Sequence, residues 1–339
     1  MKLYDKDGWL NIENILSIPT PFIFVVGGRG IGKTYGAIKY VIENNKKFML
    51  SRRTQKQADL IASPEFSPLK SPCEDLGIDW ECASLMQQCS GIYTECNGEM
   101  VLSGYTSALS TLSNIRGFDS SDVMIWIYDE FIPERHERLL RYEGEGFLNA
   151  YETINRNREL KGEPPLKFLG LTNSNDLSNP IFEVLDLVDV AEKMQNRGKE
   201  VYINSNRGIT IIMPRQSPIS EMKKKTALYN AVGSDSRFTE MSISNEFETE
   251  ICVMSKNLNE YKILVSVGKM HIYEHKSNGT FYVSAHKNGT GMVYGTDSTS
   301  LIQFRTAYRY LHGAYITDRI LFESTRLKRA FENYFIIRT

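Results

Sequence analysis

The eight residues Gly27-Gly-Arg-Gly-Ile-Gly-Lys-Thr34 constrain this chain more than any other stretch of it. They fit G-x-x-x-x-G-K-[ST] at every fixed position. Before them stands the apolar run Pro21-Phe-Ile-Phe-Val-Val26, which predicts a buried strand. After them, from Thr34 to Asn44, Ala37, Ile38, Val41 and Ile42 recur at helical spacing. Strand, glycine turn and helix N-terminus in that order make an anion cradle. Glycines let backbone N–H groups turn inward around phosphate oxygens with no Cβ in the way, and the helix adds its positive end. Gly27, Gly28, Arg29, Gly30, Ile31 and Gly32 supply the loop. Lys33 is placed to reach the β- and γ-phosphates, and the Thr34 hydroxyl to ligate Mg²⁺.

The second half of such a site is Val123-Met-Ile-Trp-Ile-Tyr-Asp129-Glu130. An apolar run ending in an acid puts Asp129 at the carboxyl end of a buried strand, where open α/β sheets bind their ligands. Asp129 then belongs to the Mg²⁺ shell. Glu130, one residue on, is placed to polarise an attacking water, which favours hydrolysis over transfer to another acceptor. A guanine-reading Asn-Lys-x-Asp is not found at Thr172-Asn-Ser-Asn-Asp, so ATP is the expected nucleotide. Arg116 and Arg156 flank the acid strand as candidate charge stabilisers. An arginine delivered to the γ-phosphate is worth about 10³ to 10⁵ in rate, and in a ring it can come from the neighbouring subunit.

The 339 residues suggest about two domains. A net charge of −1 means that any contact with nucleic acid runs through local patches rather than a general positive field. No apolar run is long enough to predict a membrane-spanning helix, and acids in the first ten residues argue against a secretion signal. Cys73, Cys82, Cys89 and Cys96 lack the spacing of a zinc site, and an odd total of five fits reduced thiols. His271 and His275, on a strand-like segment about 13 Å apart, read as unrelated surface residues.

Residues 1–205 alternate strand and helix signals, with further strands at Lys47–Ser51 and Leu166–Leu171. A hairpin is expected around Asn97-Gly98, a pair suited to the positive φ angles of a two-residue turn. This pattern predicts an α/β domain with a mainly parallel sheet. Residues 206–238, with Pro214, Pro218 and Lys223-Lys-Lys225, read as a linker. Residues 239–339 read as a smaller α+β domain with strands at Phe247–Ser255, Tyr261–His275 and Thr280–His286, then helices at Leu301–Tyr310 and Ser324–Tyr334. From Leu301 on, seven basic residues (Arg305, Arg309, Arg319, Arg326, Lys328, Arg329, Arg338) outnumber three acids, a patch suited to phosphates of DNA or RNA.

Gly-Gly-Arg-Gly-Ile-Gly-Lys-Thr-Tyr, Tyr-Asp-Glu-Phe-Ile, Arg156-Asn-Arg-Glu, Leu171-Thr-Asn-Ser-Asn and Glu240-Met-Ser-Ile-Ser-Asn-Glu-Phe follow one another here in an order that resembles the DNA-packaging ATPases of phi-twenty-nine-like bacteriophages, small relatives of the large terminases. The resemblance implies an additional-strand, conserved-glutamate (ASCE) P-loop ATPase domain joined to a vestigial ribonuclease-H-like domain. It also implies a homopentameric ring at the portal vertex of a procapsid in the host cytoplasm, pumping double-stranded DNA inward, in some relatives with a prohead RNA. Carried to matching positions, it makes Glu130 the catalytic glutamate, Arg156 the trans-acting arginine and Arg116 a second trans-acting basic residue. Thr172 and Asn173 fall in the family's coupling motif, and Arg29 matches an extra loop arginine of some terminases. Glu246, Glu248, Glu250 and Asp297 are the acids a nuclease would need; a lone face of glutamates does not assemble a two-metal centre, so nuclease activity is not expected. The alternatives are a nucleotide-gated assembly or nucleic-acid-binding switch and a helicase-type ATPase. A motor shows DNA-stimulated ATP hydrolysis, and a passive switch does not.

Overall fold

The computed structural model describes every residue except 113–119, 134–136, 138–139, 141, 174–176, 178, 216, 224, 233–253 and 336–339. The chain divides into two units, Met1–Phe247 and Glu248–Thr339.

In the first unit the elements run α1 (Ile12–Leu16), β1 (Phe22–Val26), α2 (Lys33–Glu43), β2 (Phe48–Arg52), α3 (Gln55–Ala62), α4 (Lys70–Leu76), β3 (Trp80–Met86), β4 (Cys89–Cys96), β5 (Glu99–Ala108), α5 (Leu109–Leu112), β6 (Ile125–Asp129), α6 (Glu143–Asn155), β7 (Lys167–Thr172), α7 (Pro180–Val184), α8 (Val188–Arg197), β8 (Val201–Asn204), β9 (Ile209–Ile212), α9 (Pro218–Lys223) and α10 (Ala227–Val232). The described strands form one sheet in the order β3-β4-β5-β2-β6-β7-β1-β9-β8. From β5 to β9 all neighbours are parallel; β3, β4 and β8 are antiparallel additions at the edges. One strand, β7, is inserted between β1, which leads into the glycine loop, and β6, which ends in the acids.

The central strands β1 and β6 are apolar along most of their length because both of their faces are buried. Phe24 and Val26 enter a core with α6, α7 and α8, while Ile23 and Val25 enter the core beneath α1 and α2. On β6, Trp126 and Tyr128 join the first core, and Ile125 and Ile127 the second. The Asn97-Gly98 turn between β4 and β5 has φ of 54° and 84°, the left-handed pair that the dipeptide favours. Gly104 on β5 sits opposite Phe48 of β2, and a Cβ there would lie 2.6 Å from the Phe48 carbonyl oxygen. Gly104→Ala is therefore expected to destabilise the protein by about 1–3 kcal/mol, a fall of roughly 2–12 °C in thermal midpoint, read by calorimetry. An unchanged midpoint would show that the β2–β5 pairing is looser than this contact requires.

The first domain extends beyond residue 205. Ile209–Ile212, expected in a linker, is instead β9, fully buried and paired with β1 on the side away from β7. Pro214 and Pro218 follow this strand rather than replacing it. Pro214 packs at the glycine loop, where a Cβ on Gly27 would lie 3.3 Å from its ring.

In the second unit a five-stranded sheet runs β13-β10-β11-β12-β14, from β10 (Tyr261–Val267), β11 (Met270–His275), β12 (Phe281–Ser284), β13 (Met292–Tyr294) and β14 (Ile320–Phe322). The single strand expected over Tyr261–His275 is a hairpin: Gly268, with φ of 56°, turns the chain and β10 and β11 pair antiparallel. Three helices, α11 (Ser298–Ala307), α12 (Tyr310–Ile316) and α13 (Thr325–Phe335), contribute Phe304, Leu311 and Phe331 to one core with Val265, Ile272 and Val283. The strand expected over Phe247–Ser255 lies mostly outside the described residues. His271 Nδ1 lies 2.8 Å from Ser266 Oγ across the hairpin, while His275 Nδ1 accepts from the Ser277 N–H, so the two rings serve separate contacts.

Candidate active site

Parallel pairing brings the carboxyl ends of β1, β2, β6 and β7 to one edge of the sheet, and the loop and acids meet there. The Thr34 hydroxyl donates to Asp129 Oδ2 at 3.0 Å. Asp129 is 3% exposed; burial pushes its carboxyl up, against the downward pull of Arg52 and of the Thr34 hydrogen bond. Arg52, the last residue of β2, holds Asp129 Oδ2 at 2.7 Å with one guanidinium nitrogen and Glu130 with another. Glu130 leaves the strand at φ 57°, a left-handed conformation that costs a non-glycine residue about 1 kcal/mol. It turns the half-exposed carboxylate off the line of the strand.

The loop is closed on its own lysine. Lys33 Nζ donates to the carbonyls of Gly27 at 2.9 Å and Gly28 at 2.6 Å. Gly30 and Gly32 have φ of 67° and 86°, which frees backbone N–H groups to converge. The Ile31 side chain is buried in the core under α2, and its carbonyl accepts from the Leu10 N–H at 2.9 Å, so its share in anion binding falls to the backbone N–H. Arg29 lies exposed at the loop tip. Thr172, 1% exposed at the end of β7, accepts the Gly27 N–H on its carbonyl at 3.2 Å, and half-buried Asn173 follows it. Beside Gly32 a cleft of about 700 Å³ is lined by Trp9, Tyr35, Lys39 and Tyr40, and by neither acid of the β6 end.

The residues present suit Mg²⁺. It takes oxygen ligands and keeps several waters and phosphate oxygens rather than an all-protein cage. The Thr34 hydroxyl and Asp129 carboxylate are two such donors in contact. Among the described residues no set of three or more His, Cys, Asp or Glu converges on a point.

Arg156 is not gathered into this constellation. It caps α6 in the left-handed region at φ 48°, followed by Asn157 at 57°. The double turn buries Arg158, whose guanidinium donates to the carbonyls of Ser121 (2.7 Å) and Val123. These carbonyls precede β6 at the edge of the sheet opposite its acids, about 20 Å away along an extended chain. Arg116 lies outside the described residues, as do Glu246, Glu248 and Glu250. Asp297 is taken up as the cap of α11, accepting from the Ser300 N–H at 3.0 Å and the Ser300 hydroxyl at 2.6 Å. Arg52 and Arg53 stand outside every motif that marks the loop and the acids. The signal available was a pair of arginines at the carboxyl end of a buried parallel strand.

A family model described as Podovirus DNA encapsidation protein (Gp16) matches residues 4–334. The chain belongs to that family. Among the relatives of this encapsidation protein, the DNA packaging protein of Bacillus phage phi29 is 24% identical over 301 residues, which is 86% of this chain and 83% of that one. The DNA packaging protein of Bacillus phage PZA is 25% identical over 301 residues, with the same coverage. A structure described as the bacteriophage Phi-29 viral genome packaging motor assembly matches with a TM-score of 0.66 at 20% identity, over 96% of this chain and 98% of that chain. The Phi-28 gp11 DNA packaging motor matches at 0.61 and 19%, over 99% of each. At these identities the structural likeness speaks for fold. The expected α/β domain with a mainly parallel sheet and a smaller α+β domain is met by the fold, and the expected phage DNA-packaging protein by the family.

Proposed function

We propose that this encapsidation protein hydrolyses ATP with Mg²⁺ and uses the free energy to drive double-stranded DNA into a procapsid. The observation that carries the proposal is the contact chain Thr34–Asp129–Arg52–Glu130 beside the glycine loop. In this reading Lys33 exchanges the Gly27 and Gly28 carbonyls for β- and γ-phosphate oxygens. Thr34 and Asp129 hold Mg²⁺, which when bound screens the phosphate charge. Glu130 polarises the attacking water, and it does so once Arg52 no longer ties up its carboxylate. Thr172 and Asn173, between the loop and the acid strand, sense the γ-phosphate.

The opposite-edge location of Arg156 favours action in trans: its side chain spans roughly 7 Å, far short of the 20 Å to its own acids. A ring of subunits, a pentamer at the portal vertex in the host cytoplasm, supplies the neighbour. DNA, the portal and a prohead RNA are the partners of that reading. Arg319, Arg326, Lys328 and Arg329 of the second, vestigial ribonuclease-H-like domain are candidate phosphate contacts. The test is ATP turnover by the purified protein on procapsids. Stimulation by double-stranded DNA supports a motor; nucleotide binding without DNA-dependent turnover leaves a switch.

The cleft beside Gly32 is lined by neither acid, and in this reading it receives the sugar and base of the nucleotide. Trp9 walls it, packed against Gly32, where a Cβ would lie 3.1 Å from the indole, yet the residue is 46% exposed. Aromatic stacking on a base is worth about 1–3 kcal/mol. Trp9→Ala is therefore expected to weaken ATP and ADP roughly 5- to 160-fold and to leave tripolyphosphate binding unchanged. Calorimetric titration reads this, and equal loss for tripolyphosphate would place the damage in the loop itself.

A further inference from the structure

Arg52 ends β2 and Arg53 is the first residue beyond it, and the two guanidinium groups reach different elements. Arg52 holds the acids at the end of β6. Arg53, 1% exposed, grips Glu143 with two bonds, Nε to Oε1 at 2.7 Å and Nη2 to Oε2 at 2.9 Å, and lies 3.4 Å from Glu137 through Nη1. The Glu143 side chain is completely buried and is the first residue of α6; its Oε2 also accepts the Leu140 N–H at 3.1 Å. From there α6 runs unbroken to Asn155, about 20 Å, with Phe147 wedged against Trp126 and Phe168 at ring distances of 5.6 and 5.0 Å. The next residue is Arg156.

A buried ion pair is a poor source of stability, because desolvation offsets most of its attraction and apolar side chains hold two elements as well. What a forked guanidinium–carboxylate contact adds is fixed geometry. Here it fixes a rigid helix along its axis, one residue from the arginine that contacts both site acids. We propose that Arg53 and Glu143 are a positioning pair, tying the register of Arg156 to the state of the nucleotide site in the same subunit. A subunit then offers its arginine to its neighbour according to what its own loop holds. A shift at the end of β2 passes through one peptide unit to Arg53 and through a helix that does not shorten to Arg156. The proposal rests on Arg156 acting on a neighbouring subunit.

The test is the double variant Arg53→Met/Glu143→Leu, compared with Arg156→Ala; it removes both fully buried charges and leaves Glu137, 28% exposed and still hydrogen-bonded by Gln57. Each is assayed alone and mixed one to one with Glu130→Gln subunits, whose own sites are silent and whose Arg156 is intact. The pair variant is expected to bind a non-hydrolysable ATP analogue as the parent does and to lose about 10- to 100-fold in turnover, the scale of an ångström misplacement. The mixture is expected to restore turnover. If Arg156→Ala is rescued in mixtures while the pair variant keeps full turnover, loses analogue affinity or is not rescued, the positioning role is overturned and the trans arginine stands. If Arg156→Ala itself keeps full turnover or is not rescued, the trans arginine falls and the positioning role with it. Should the double variant fail to fold, Arg53→Lys, which keeps the charge and loses the fork, is read for the same pattern.

Discussion

Glu130→Gln is expected to cut ATP turnover by about 10²- to 10⁴-fold, the range for removing a general base, with nucleotide binding retained. Glutamine keeps the volume and tolerates the same φ of 57°, and a half-exposed side chain is not part of the core. Arg52 keeps Asp129 as a partner at 2.7 Å, so the site does not gain an unpaired buried charge. What disappears is the negative oxygen that, in the proposed mechanism, draws the proton from water. Single-turnover hydrolysis with analogue binding measured in parallel separates chemistry from affinity. Turnover near the parental rate would move the base to another residue and remove Glu130 from the mechanism.

Arg156→Ala carries an effect of comparable size. A trans arginine is worth about 10³ to 10⁵ in rate, or roughly 4 to 7 kcal/mol of barrier. The local backbone is expected to survive the change. Alanine accepts the left-handed conformation no worse than arginine, and the turn is held by Arg158 on the Ser121 carbonyl and by Asn155, whose side-chain oxygen accepts the Leu166 N–H at 2.8 Å. The signature that distinguishes a trans role from local damage is concentration dependence. The parent's specific activity should rise with protein concentration as subunits associate, and the variant's should stay flat at its residual level. A fully active dilute monomer would end the trans assignment.

Loop and acids were legible because the chemistry fixes their spacing within a few consecutive residues. Lys33 follows Gly32, and Glu130 follows Asp129, in any chain that uses them this way. Arg52 was not legible, because its role arises from strand order. It reaches Asp129 only because β2 pairs with β6 in a register that sets Ser51 against Tyr128, and no periodicity within 48–52 encodes that neighbour. The Asn97-Gly98 turn is legible from backbone preference alone. Ile209–Ile212 was missed for the opposite reason: four residues beside prolines carry little local signal, and the strand exists through its pairing with β1. Over Tyr261–His275 the turn at Gly268 is not legible, because strand-forming residues run on both sides of it and both arms of the hairpin bury most of them.

The grip of Lys33 on the carbonyls of Gly27 and Gly28 makes the loop an internal competitor for its own lysine. An arriving phosphate must displace two hydrogen bonds already satisfied, so adventitious anions that offer less than a polyphosphate with its metal gain little foothold. The same rivalry operates on departure. In the proposed hydrolysis the ammonium returns to these two carbonyls as the terminal phosphate leaves, which would shorten the residence of the spent nucleotide.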